Sequence, residues 1–303
     1  MRLQKAPKRW ANELTAVLNA RDGAARFPVD IEWLAKEYSR HLFPDDPISL
    51  IQGDSLPGFE GALIKAPEGE IGWGIFYNSD IASPGRINFT LGHEFGHYLL
   101  HRQDHPDGIQ CTDEDMVRWE SDNRQIEQQA NDFAATLLMP FGDYRRQIDA
   151  TAQPTLDDIG LCAERYGVSL IAATLQWLQY TERRAILVKS VDGFIAWARS
   201  SQLALRTGAF FKTAGRPPIE IPAVSLPIRT EILKGGKGIA EHGPATWLTE
   251  PCVEHTLVST QYDFALSLLH LADAPEPHEG LEEPEEDMVD RMIKRTPGGS
   301  WLD

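Results

Sequence analysis

The sequence predicts an α+β protein, and three observations predict it. A short motif, His93-Glu94-Phe95-Gly96-His97, sits inside a stretch whose apolar residues recur at helical spacing. Strand-length apolar runs separated by turn residues precede that stretch. Beyond residue 184 the texture becomes β-rich again. The chain has 303 residues, 42% hydrophobic and 24% charged, which is enough for a sizeable core and more than one domain.

Taken in order, residues 8–20 and 30–40 read as two amphipathic helices, with Asp30 placed to cap the second ahead of Ile31, Leu34 and Ala35. Apolar runs at 48–51, 58–64 and 71–77 follow, and Ala66-Pro67-Glu68-Gly69 makes a turn between the last two. They predict a small antiparallel sheet leading into the motif helix. That helix starts at Ser83-Pro84 and carries Ile87, Leu91, Phe95, Leu99 and Leu100 as one apolar stripe. Residues 101–120 are polar and read as an irregular excursion. Ile126, Ala130, Phe133, Ala134, Leu137 and Leu138 then mark a second buried helix, which Pro140 ends.

The motif carries chemistry because of its spacing. His93 and His97 stand one helical turn apart, about 6 Å along the axis, so both imidazoles reach a single tetrahedral zinc ion. Glu94 leaves the helix beside them and is placed as general base toward a water that the metal activates. Two histidines leave the ion short of one protein ligand. Glu127 on the next helix supplies a carboxylate and leaves a fourth position open, while Asn131, one turn on, is placed to hydrogen-bond a ligand histidine and fix its tautomer. His101 competes as third ligand, but it sits about 12 Å along the axis from His93, too far to share the ion. His101 and His105 remain candidates for contact with substrate or an oxyanion, with surface histidines as the preferred reading. Cys111 lies between the two segments, either as a free surface thiol or as an inhibitory zinc ligand that fills the open position.

The remaining signals bound the function. A net charge of -16 argues against general affinity for nucleic acid phosphates or anionic lipid. No apolar stretch is long enough to span a bilayer, and the N-terminus has no secretory pattern. Three scattered cysteines, Cys111, Cys162 and Cys252, without CxxC spacing, point to a reducing compartment, so the expected location is cytoplasmic. Residues 155–180 look like a helix-turn-helix around Tyr166-Gly167-Val168-Ser169, but the second helix has no basic residue, which favours packing over DNA reading. A hairpin is expected from 185–190 and 193–198, and further strands at 219–226, 253–259 and 262–271. Basic residues from Arg206 to Lys237 read as scattered solvated charge, and Gly235-Gly236-Lys237-Gly238 lacks P-loop spacing. The acidic end, from residue 273, is expected to be disordered.

Two segments, LGHEFGHYLLH at 91–101 and EQQANDFAATLLMP at 127–140, together resemble the ImmA/IrrE family of bacterial metallo-endopeptidases, whose pattern is HELGH followed by E, AN, FA and LLMP. Phe95 stands where leucine is common in that family. The resemblance implies a zincin-like peptidase holding one zinc per chain on His93, His97 and Glu127, with Glu94 as catalytic base. It also implies a substrate, a helix-turn-helix repressor of the phage (XRE) type, whose cleavage would induce stress, DNA-damage, mobile-element or phage-defence genes. The expected organisation is a zincin-like metallopeptidase domain over 1–148, a helical linker over 149–182, a β-rich C-terminal domain over 183–272, GAF-like in some members, and an acidic tail over 273–303. A small molecule or DNA is the expected activating signal. The competing expectation is a metal-containing regulatory module that holds a repressor without cutting it.

Overall fold

The computed structural model describes residues 6–112, 121–213, 216–259 and 263–274, with backbone alone for 110–112 and 121–124. The chain divides into two compact units, Met1–Gln147 with Gly160–Ala173, and Ile148–Ile159 with Thr174–Asp303.

In the first unit, helix α1 (Pro7–Asp22) begins on a proline, whose missing N–H costs nothing in a first turn, and ends at Gly23 with φ 57°. It buries Ala11, Leu14 and Leu18. Helix α2 (Ile31–Leu42) is capped by Asp30, whose carboxylate accepts from the Trp33 amide at 3.0 Å. Strands β1 (Ile48–Asp54), β2 (Phe59–Lys65) and β3 (Trp73–Asn78) lead to helix α3 (Pro84–Leu100), capped by Ser83. Strand β4 (Gly108–Thr112) lies where the sequence suggested an irregular excursion. Helices α4 (Ser121–Leu138) and α5 (Phe141–Gln147) follow. The sheet order is β1-β3-β2-β4. Antiparallel pairing holds for β2 with β3 and with β4, whereas β1 joins β3 in parallel.

Helix α3 packs against β2 and β3 on one side and α4 on another. Its C-terminal end is tied to the sheet through Asp46. That carboxylate accepts from Lys65 Nζ, Trp73 Nε1 and Arg102 Nε, while the Tyr98 hydroxyl donates to the Asp46 carbonyl at 2.6 Å. Breaking such a half-buried set leaves charged groups short of partners, so it fixes the height of α3 under the sheet.

Helices α6 (Leu156–Tyr166) and α7 (Leu170–Tyr180) meet at Gly167, φ 59°, with the Ser169 hydroxyl accepting from the Ala172 amide. The boundary between the two units runs through both helices.

The second unit carries a five-stranded antiparallel sheet in the order β6-β5-β9-β8-β7, from β5 (Ala185–Val191), β6 (Phe194–Ser200), β7 (Lys237–His242), β8 (Cys252–Ser259) and β9 (Phe264–Leu271), with a short helix α8 (Gln202–Arg206). Asp192 (φ 50°) and Gly193 (φ 81°) make the two-residue turn of the predicted hairpin, where both positions need positive φ. Ile186, Val188, Trp247, Leu269 and Leu271 belong to its apolar core. Within it Glu254 is fully buried and accepts from Trp247 Nε1, Thr256, Ser267 and the Leu226 amide, with His242 Nε2 at 2.6 Å. The strand expected over 219–226 does not form. Pro222 removes a ladder donor within it, Pro217, Pro218 and Pro227 flank it, and the described residues keep only an isolated bridge from Phe194 to Glu220. Among the described residues no helix is long and apolar enough to cross a membrane.

Candidate metal centre

Glycine lets the two site helices approach. A Cβ on Gly96 would stand 3.0 Å from the Phe133 ring and 3.2 Å from Ala130 Cα, and one on Gly92 would stand 3.4 Å from Ala134 Cβ. These glycines, each preceding a motif histidine, give α3 a smooth flank against Ala130, Phe133 and Ala134, all buried on α4. That contact brings Glu127 across to the histidines.

His93 Nε2 and His97 Nε2 face each other at 2.9 Å. The two oxygens of Glu127 complete the cluster, Oε2 at 3.0 Å from His93 Nε2 and Oε1 at 3.3 Å from His97 Nε2. Among the described residues these three side chains are the group of His, Cys, Asp and Glu whose ligand atoms converge, all within 4.8 Å of one another. All are buried or nearly so: His97 has no exposure, His93 7% and Glu127 9%.

The donor set fits a divalent cation. On the outer side of His93, Nδ1 lies 3.0 Å from Asn131 Oδ1, an oxygen that only accepts, so Nδ1–H donates and Nε2 keeps its lone pair toward the centre. A carboxylate and imidazole lone pairs aimed at one small volume repel one another unless positive charge sits among them. The electrostatics agree. Burial works against charging His93, yet the hydrogen bond of Glu127, the charge of Glu94 and the charge of Glu127 together outweigh it and raise the histidine's pKa. Burial also opposes ionisation of Glu127, but hydrogen bonds with His93 and His97 hold it well below the ordinary carboxylate range. Burial, and then the neighbouring His93, push His97 down to about 4. Two nitrogens and a carboxylate suit zinc and several other divalent ions.

Glu94 stands outside the ligand cluster and has no solvent exposure. It lies between α3 and β2, so close beneath Gly61 that a Cβ there would be 2.7 Å from Oε1. Cys111 has a described backbone only, paired with Gly61 across β4 and β2; its side chain lies outside the described residues. His105 is half-buried. His101 is a correction to the surface reading. It is 3% exposed, with Nδ1 3.0 Å from His97 Nδ1 and Nε2 2.9 Å from Gln129 Oε1. Its position four residues after His97, on the same helical face, was the available signal. Gln129 had none, because nothing local marks it out from its neighbours.

A helix bearing HExxH beneath a small sheet, joined by a carboxylate from a following helix, defines a zincin-like metallopeptidase domain. Residues 53–177 match the family model described as Peptidase_M78, IrrE N-terminal-like domain, a match that supports an ImmA/IrrE-family metallopeptidase domain over this stretch. A search of curated proteins finds no match to the chain.

Proposed function

We propose that the protein is a zinc-dependent endopeptidase that cuts a helix-turn-helix repressor and so relieves repression of the genes it silences. The observation that carries the reading is the convergence of His93, His97 and Glu127 with Glu94 buried beside them. A divalent ion held by those three side chains supplies Lewis acidity, polarising a scissile carbonyl and acidifying water. Glu94 takes the proton of the attacking water and delivers it to the leaving amine. Gly61, by having no side chain, leaves room for that carboxylate directly under β2. Asn131 holds the His93 ring in the tautomer that offers Nε2 inward.

Two regulatory elements belong to the same reading. Cys111 acts as an inhibitory ligand that keeps the enzyme latent, supported by its backbone pairing with Gly61, the residue that lies against Glu94. The strand-rich C-terminal region receives the activating signal, supported by a sheet and an apolar core of its own.

Coexpression with a helix-turn-helix repressor encoded beside the gene, followed by intact mass, tests the proposal. Wild type is expected to cut the repressor, and Glu94→Gln is expected to hold zinc without cutting. Cleavage by Glu94→Gln would overturn the mechanism. A repressor that copurifies uncut with both forms favours a non-cleaving regulatory module instead. Cys111→Ala is expected to cut faster at equal zinc content, and an unchanged rate removes the latency role.

A further inference from the structure

The outer nitrogens of the two histidines are held in different ways. His93 meets an amide oxygen directly, whereas His97 meets a second imidazole, which in turn meets an amide. The direction of this longer chain follows from its far end. Gln129 Oε1 only accepts, so His101 Nε2, 2.9 Å away, carries its proton. A neutral His101 then presents Nδ1 as a lone pair. His97 Nδ1, at 3.0 Å, must donate to it, which leaves His97 Nε2 unprotonated and aimed at His93 and Glu127.

We infer that Gln129 and His101 are positioning residues that set the tautomer of His97 and thereby the affinity of the site for its metal, an inference that rests on the metal-site reading above. The relay has a single sense. If the Gln129 amide were turned over, its N–H would donate to His101 Nε2. His101 would then present Nδ1–H to His97, which would turn an N–H toward the ion. Burial keeps water from taking either role, since His97 is fully buried and His101 is 3% exposed. Gln129 sits on α4, the helix that supplies Glu127 and Asn131, so one element delivers a ligand and orients both of the others.

The test is the histidine 15N–1H spectrum of the metal-free full chain, together with zinc affinity by chelator competition. In wild type, His101 is expected as the Nε2–H tautomer and His97 as the Nδ1–H tautomer. Gln129→Met keeps the side-chain length and removes the acceptor. It is expected to lose roughly ten- to a hundredfold in zinc affinity, the usual scale for a partner of a ligand, and to release His97 from its single tautomer. Gln129→Glu restores the acceptor and is expected to restore both readouts, which a purely packing role for Gln129 would not do. His97 protonated at Nε2 in metal-free wild type overturns the inference without any variant, and so does Gln129→Met with the wild-type tautomer and affinity. Zinc that fails to shift the His93 and His97 signals of wild type overturns the metal-site reading instead, whatever the tautomers show.

Discussion

Gly61→Ala separates Glu94, the proposed base, from the proposed metal ligands. Gly61 adopts ordinary strand backbone, so alanine brings no conformational strain of its own. Its Cβ would lie 2.7 Å from Glu94 Oε1 and 2.6 Å from Thr90 Cγ2, against an ordinary contact of 3.4 Å or more. Something must move by about 0.7 Å, and both neighbours are buried on α3. Overpacking of this kind costs about 1–3 kcal/mol, and each kcal/mol lowers Tm by about 2–4 °C for a chain of this class. A displacement approaching 1 Å at a reacting group costs on the order of a hundredfold in rate. The ligand atoms of His93, His97 and Glu127 are not in that contact, so zinc affinity should stay within a few-fold of wild type. The assay is kcat/KM for repressor cleavage beside zinc competition and thermal melting. A variant that melts lower, binds zinc normally and still cuts at the wild-type rate refutes the placement of Glu94 as base.

Two further tests concern charge. Glu127→Ala should leave the purified protein without stoichiometric zinc by elemental analysis, and should lower the pKa of His93, because it removes the Glu127 hydrogen bond and charge and leaves only the Glu94 charge and the Asn131 hydrogen bond against burial. In the second unit, burial lowers His270 to about 4 from an ordinary 6.5. The unfolded chain therefore binds more protons between those values. Stability is full above about pH 6.5 and falls as pH drops toward 4, by on the order of 3 kcal/mol at most. His270→Gln should show a smaller loss in urea midpoint between pH 7 and 4.5, and an identical loss would remove His270 as the cause.

The convergent cluster was legible because each residue lies in a short helical segment where spacing alone decides which side chains share a face. His93, His97 and Glu127 are of this kind, and so is Asn131, which hydrogen-bonds His93. His101 was misread because exposure depends on what covers a helix, and the cover is α4, a partner that periodicity within α3 cannot reveal. Strand β4 was missed for a related reason. Its five residues are too few for their alternation to stand out from the polar stretch around them, and its identity as a strand rests on pairing with β2, more than forty residues earlier. At 219–226 the error ran the other way, with apolar content read as a strand where Pro222 denies the ladder a donor. Gly61 illustrates the hardest case, since its importance lies in a side chain it lacks and in a neighbour thirty-three residues away.

On the proposed metal-site reading, Gly96 would bear on which ion is preferred. Glu127 reaches the two imidazoles across the close approach of α3 and α4 where Gly96 meets Phe133 and Ala130. On that reading, the fit to an ion's radius would depend on an apolar contact outside the ligand set. Gly96→Ala should widen that approach and move preference from zinc toward the larger manganese, visible as a fall in the ratio of their affinities. An unchanged ratio would mean the side chains of the three ligands absorb the extra width.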